Sequence, residues 1–442
     1  MLHTLRSLGR LPRKMADHVG LLRRDPERFG RNLLQFTDPK LFQERLIDVL
    51  DAVPMHVTVD SASSAPPHLN VLNSALTRSG MTGGPNTIIN LALRIARLGV
   101  PVRLVTTVAT STLDPAWFRT HAVQLIGDPN LPDVPIVTAA NAARPMVIGP
   151  NDMFLATHWT TAQQLKAILP RMASQQFFYM LQEFEPAFYA WSSNYALALE
   201  TYGLDFWPVF NESLLATYMM GQGVGRLGDP AMRDRATIFE PAVEARLFHP
   251  PAGPVPVRPK RLLFYARPTN TRNMFGLGLM ALRLASADPA FAGWQFRAIG
   301  GRGSVPPLPL AAGHALQPEA WMDYEGYAQS LREADVLLCP MLSPHTSYPV
   351  LEMAASGGLS VTNTFATKTR VELEKLSGNI VATEPTVEAM AAGLIAAAER
   401  ANAGYVRTAA IDMARDWAAT LDPAAVRLAG LFASITARKQ LN

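Results

Sequence analysis

In the stretch "FYARPTNTRNMFG", Arg267 closes an apolar run and Arg272 follows five residues later, just before an apolar helical pattern. Two guanidiniums at the end of a strand suit a diphosphate, which carries charge on two neighbouring groups. Solvated arginines on an exposed loop are the other reading. "AIGGRG" puts Gly300, Gly301 and Arg302 at the end of another apolar run, where backbone can approach a ligand closely. "SPHTSYPVLEMAASGG" holds a single acid, Glu352, read here in the first turn of a helix that Pro349 opens. The helix dipole alone favours an acid there, and so does a pair of vicinal hydroxyls donating to it, as on a nucleoside ribose. Gly83 and Gly84, just before Pro85, mark a second helix start that either meets an anion with its backbone N–H groups or is a plain tight turn.

These residues need strand ends and helix starts to hold them, and the chain supplies both. Short β-branched runs alternate with longer helical patterns, the mark of parallel sheets covered by helices. Strands are expected at "MHVTVD", "VPVRLVTTVA", "PMVIG" and "QFFYML" in the first half, and at "RLLFYARP", "WQFRAIGG", "DVLLCPM", "LSVTNT" and "NIVATE" in the second. Between Ile88 and Leu98 apolar residues recur at helical spacing and Gly99 ends the pattern. Six prolines from Pro241 to Pro259 exclude a sheet or helix interior and mark a boundary. The expected division is an N-terminal extension over residues 1–50, a Rossmann-like domain over 51–245, a second over 246–420, and a C-terminal helix over 421–442 that could cross back to the first domain. A length of 442 residues exceeds what one core supports.

Composition narrows the class. With 48% hydrophobic and 17% charged residues the chain is expected to be ordered and globular. Cys339 is the one cysteine, so an intramolecular disulfide and a thiolate zinc cage are excluded and a reducing, cytoplasmic compartment fits. No uninterrupted apolar run reaches the ~18 residues of a membrane span. Residues 1–31 carry eight basic side chains against three acids, with Leu5, Leu8, Leu11, Met15, Val19 and Leu22 at helical spacing. Such a helix either lies on an anionic membrane face, which would place the chain at the inner surface of the membrane, or caps the first domain. Because the net charge of +4 is concentrated in that segment, a nucleic-acid surface on the body is not expected. The glycine spacing is not Gly-x-Gly-x-x-Gly, which disfavours a nicotinamide dehydrogenase.

Taken in order, the segments resemble the GT-B glycosyltransferases of the glycosyltransferase family 4 type. The resemblance rests on "GGPNTIINLALRIARLG", "FEPAVEARLFHP", the Arg267–Arg272 pair, "YEGYAQSLREADVLLCPM" and "YPVLEMAASGG", over about residues 80 to 400. "YMLQEFEPAFYAWSSNYALALETY" and "SPHTSYPVLEMA" are further similar to bacterial WsaF-like rhamnosyltransferases, which build surface polysaccharides from dTDP-L-rhamnose. The resemblance implies two doubly wound domains facing a central cleft, with a nucleotide-sugar donor in the second domain and a glycan or lipid-linked saccharide acceptor in the first. Arg267 and Arg272 would hold the diphosphate, Arg272 standing where the family has lysine, and Glu352 the ribose. His345, Ser347 and Tyr348, with Gly301 and Arg302, would line the donor site, and Gly83 and Gly84 would face the transferred sugar. No Asp-x-Asp occurs in the chain, so the leaving group is expected to be stabilised without a metal, and no cofactor beyond the donor substrate is expected.

The chain also departs from the family. Its usual Glu-x7-Glu pattern has Pro344 at the first position, followed by His345. A sugar with differently placed hydroxyls would account for that, and so would a degenerate protein that binds glycan or nucleotide without turnover. Glu183 in "LQEFEP" is the candidate to position or deprotonate the acceptor hydroxyl, against a salt-bridged structural acid. His158 in "ATHWTTA" is the second candidate, against a packed ring.

Overall fold

The computed structural model describes residues 55–438 apart from 75, 79–80, 82, 109–113, 254–257 and 302–306. The basic N-terminal segment, expected to be a helix that faces a membrane or caps the first domain, and Arg302 lie outside the described residues.

The first half contributes β1 (Val57–Val59), β2 (Leu69–Asn73), β3 (Val102–Thr106), β4 (Ile136–Thr138), β5 (Met146–Ile148), β6 (Met153–Ala156), β7 (Phe177–Leu181), β8 (Phe206–Asn211) and β9 (Thr237–Phe239). Seven of them form one parallel sheet in the order β4-β3-β2-β6-β7-β8-β9. The second half gives β10 (Arg261–Tyr265), β11 (Gln295–Ile299), β12 (Leu308–Pro309), β13 (Ala315–Pro318), β14 (Val336–Leu338), β15 (Leu359–Asn363) and β16 (Ile380–Thr383). Their order is β12-β13-β11-β10-β14-β15-β16, parallel except for the β12 edge.

Both sheets are doubly wound: the chain builds outward from a central strand on one side, then returns to build on the other. The reversals fall between β2 and β6 in the first sheet and between β10 and β14 in the second. At such a switch point successive loops diverge to opposite faces and leave a crevice at the carboxyl ends of the strands. Gly83 and His158 come after β2 and β6, and Arg267 and the 343–348 loop after β10 and β14, so these candidate residues stand at the two crevices.

Apolar clusters cover both faces of each sheet, which is why β2 and β7 are buried along their whole length and β10 through its middle. Two expected strands lie elsewhere. "MHVTVD" and "PMVIG" supply β1 and β5, which pair only with each other in a separate two-stranded sheet. The central strand is β2, whose sequence LNVLN places an asparagine in the core. Asn70 is satisfied there: its amide donates to the Asp152 carboxylate at 3.2 Å and its carbonyl accepts from Arg103 Nε at 2.9 Å.

The last described helix, Trp417–Arg438, follows the second domain yet packs on the first. Leu421, Leu428 and Phe432 join the core around the helix Gly83–Arg97, and Arg94 pairs with Asp422. Its stretch Trp417–Ala437 is long and apolar enough to cross a membrane by length and composition alone. Asp422 and Arg427 interrupt it, and both bond to the first domain, Arg427 through Thr237 Oγ1 at 3.1 Å. One face of this helix therefore belongs to a folded core.

Candidate active site

The cleft between the two sheets has a volume of about 1390 Å³ and is lined from both domains. On the second-domain wall, β10 and β11 run side by side with Tyr265 paired to Ile299, so Arg267 and Gly300 emerge together. Gly300 has φ +85°, and a Cβ there would stand 2.9 Å from the Tyr265 ring, so a side chain is excluded on both counts. Arg267 lies 5.9 Å from the centre of that ring, half-buried. Among the described residues it has no carboxylate at ion-pair distance, and Gly301 lines the cleft beside it.

The helix Tyr348–Ala355 starts from Ser347, which has φ +76° and ψ +119°. Glu352 is the fifth residue of this helix, one turn deeper than the first turn expected for it. Its oxygens accept from Tyr324 Oη at 3.2 Å and Tyr327 Oη at 2.8 Å. These tyrosines are three apart on the helix Tyr324–Glu333, hence on one face, with stacked rings. Burial pushes the Glu352 carboxyl up to about 7, and the two phenols oppose that shift. Each oxygen keeps acceptor capacity beyond the one phenol, and the side chain lines the cleft.

Glu183, two residues past β7, does not stand open to a substrate. Ser343 Oγ donates to one of its oxygens; His345 Nε2 and Arg272 Nη1 each lie 2.8 Å from the other. His345 Nδ1 accepts from the Ser347 N–H at 3.1 Å, which leaves the ring proton on Nε2, donated to Glu183. Burial would raise the Glu183 carboxyl, but His345, Arg272 and Ser343 outweigh it and bring it down to about 2. Of the two readings of Glu183, a residue that positions or deprotonates the acceptor hydroxyl and a salt-bridged structural acid, this geometry fits the second: it is an anion that bridges the domains, and a carboxylate so occupied is a poor proton acceptor. Arg272, expected on the diphosphate, is drawn toward the first domain, with its guanidinium 4.5 Å from the centre of the Phe188 ring as well as paired to Glu183.

His158 lines the cleft as the N-cap of the helix Trp159–Leu165, its Nδ1 accepting from the Thr160 N–H, with its ring stacked on Phe188. That cap gives the residue a structural task the sequence did not reveal. Gly83 and Gly84 are the first two residues of their helix rather than a turn before it. A Cβ on Gly83 would come 3.1 Å from the Tyr348 ring, so this glycine admits a side chain of the other domain.

Several lining residues carry no assigned role in the sequence reading, although Glu185 in "LQEFEP" is an acid expected to reach the cleft. Glu185 accepts from Tyr179 Oη at 3.2 Å, and burial lifts its carboxyl to about 8. Asn211 and Glu212, at the carboxyl end of β8, bond to Tyr348 and Thr346 across the cleft. An acid directly after "FWPVFN" was a usable signal once that run is recognised as a strand. Among the described residues no three His, Cys, Asp or Glu side chains stand together as a metal site.

Two Rossmann-like domains whose switch points face one cleft define the GT-B glycosyltransferase fold. Sequence profiles of the WsaF N-terminal and C-terminal domains match residues 68–212 and 260–395, well over half of the chain together, and the chain belongs to that family. A curated relative, the O-antigen biosynthesis protein RfbC of Myxococcus xanthus, is 37% identical over 221 residues, 48% of this chain; the chain spans only 15% of that protein's length. The solved structure of sucrose-phosphate synthase from Thermosynechococcus elongatus superposes with a TM-score of 0.50 at 12% identity, covering 85% of this chain and 98% of that one, a likeness of fold. WaaG, a glycosyltransferase involved in lipopolysaccharide biosynthesis, gives 0.46 at 13% identity over 82% of this chain and 99% of its own.

Proposed function

We propose that this chain transfers a sugar, L-rhamnose from dTDP-L-rhamnose, to a saccharide or lipid-linked saccharide during assembly of a surface polysaccharide. The observation that carries the proposal is the grouping of Arg267, the Gly300–Gly301 backbone, the start of the Tyr348 helix and Glu352 on one wall of the cleft. A guanidinium and a helix N-terminus together neutralise the charge that builds on a departing diphosphate. Glu352 accepts from the nucleoside sugar; in a deoxyribonucleoside only the 3′-hydroxyl is available to it. The acceptor enters against the first-domain wall, where His158, Glu185 and Gly84 lie.

Family membership and the name of the RfbC relative support the class of pathway, and the absence of an acid at 344 fits a donor sugar that asks for no carboxylate there. The proposal includes independence from divalent metal, so transfer should persist in excess chelator. It also places the chain in the cytoplasm, where nucleotide sugars are made, with residues 1–31 against an anionic membrane face. Incubating the purified chain with dTDP-L-rhamnose and a rhamnose-containing acceptor, and measuring released dTDP, tests the core of it. Release with dTDP-L-rhamnose above that with UDP- and GDP-sugars supports the donor assignment, and preference for another donor overturns it.

A further inference from the structure

Ser347 holds a backbone conformation that an L-residue adopts only when its surroundings impose it, at φ +76°. Its neighbours on both sides are gripped from the other domain. Thr346 donates its N–H to Glu212 Oε1 at 2.8 Å and its hydroxyl to Oε2 at 2.6 Å. Tyr348 Oη accepts from Asn211 Nδ2 at 2.6 Å and meets Thr87 Oγ1 at 3.4 Å. Glu212 stands at the N-cap position of the helix Ser213–Gly221, whose first N–H, that of Ser213, is taken by Glu240 Oε1 at 3.2 Å. The Glu212 side chain makes no cap bond; both carboxylate oxygens cross the cleft instead, and the residue is buried at 3% exposure.

We propose that Glu212 is a positioning residue for the donor: from the acceptor domain it holds Thr346, and through it the Ser347 turn, in the shape that presents the start of the Tyr348 helix to the diphosphate. The donor site is then complete only while Glu212 holds Thr346. The inference rests on the nucleotide-sugar reading of the cleft. It adds a residue to the donor site that makes no contact with the donor.

Calorimetric titration of the full chain with dTDP and UDP tests it, using Glu212→Ala, Glu212→Gln, Thr346→Val and the Glu212→Ala/Thr346→Val pair. Loss of the grip removes charge-assisted hydrogen bonds, so Glu212→Ala should raise the dissociation constant about 10- to 100-fold. Glutamine can accept the Thr346 N–H and donate to its hydroxyl, so Glu212→Gln should recover most of that loss. The double variant should lose little beyond Glu212→Ala, because both changes cut the same link. In turnover, the KM for donor should rise more than kcat falls. A folded Glu212→Ala chain that binds nucleotide as the wild type does overturns the inference and leaves the donor site standing. Should Glu212→Ala fail to fold, Thr346→Val decides, with unchanged affinity overturning the inference. A wild-type chain that binds no nucleoside diphosphate refutes the donor reading itself, and this inference with it.

Discussion

Replacing Glu183 by glutamine removes the charge that Arg272 and His345 share across the domains. The carboxyl is held at about 2 instead of 4.5, a difference of roughly 2.5 pH units, which corresponds to about 3 kcal/mol at ~1.36 kcal/mol per unit. Because the folded value lies below the unfolded one, this contribution is complete above pH 4.5 and fades as the pH falls toward 2. Urea denaturation of wild type and Glu183→Gln at a series of pH values between 3 and 8 reads it directly. The variant should be less stable by about 3 kcal/mol at neutral pH, and the gap should narrow on acidification. A stability gap below ~1 kcal/mol at pH 7, the range of an exposed pair, or a gap that does not change with pH, would refute the bridging role.

Glu185 should behave in the opposite sense. Its folded value of about 8 lies above 4.5, so its contribution is complete below 4.5 and lost as the pH rises through 8; Glu185→Gln should remove up to about 4 kcal/mol of alkaline destabilisation, seen in denaturation at pH 5 against pH 9. For Glu352, held at about 7, wild-type affinity for dTDP or UDP should weaken as the pH falls below 7, and Glu352→Ala should cost about 1.5–3 kcal/mol of binding at pH 8 by calorimetry. Gly300→Ala introduces a Cβ against Tyr265 at a positive φ, so it should lower stability by about 1–3 kcal/mol and weaken nucleotide binding, measured by thermal unfolding with and without dTDP.

Much of the second domain was legible in the sequence. Its central strands are short runs rich in apolar residues that end before Arg267, Gly300 and Pro340, so their type and the residues at their carboxyl ends could be read. The first domain was harder. Asn70 in the middle of β2 and Pro208 in β8 break the apolar pattern, and only the tertiary partners of Asn70 show why a polar side chain is tolerated there. Hidden strands hid the residues at their ends, and Glu212 went unnoticed for that reason. Spacing told which candidates share a strand end, but not which would find a partner in the opposite domain. Arg267 and Arg272 read alike as a phosphate pair and both line the cleft, yet the fold ties only Arg272 to a carboxylate, that of Glu183.

The proposed function requires the second-domain wall to activate a nucleotide-sugar donor for transfer. It is tested most directly by measuring dTDP released from dTDP-L-rhamnose in the presence of a saccharide acceptor, for the wild type and for Arg267→Ala. Acceptor-dependent release is expected of the wild type. For Arg267→Ala the expected rate is lower by about 100-fold, the loss of ~2.7 kcal/mol of leaving-group stabilisation. A wild-type chain that binds dTDP but releases no nucleotide from any donor in the panel, or an Arg267→Ala chain that turns over at the wild-type rate, would contradict it.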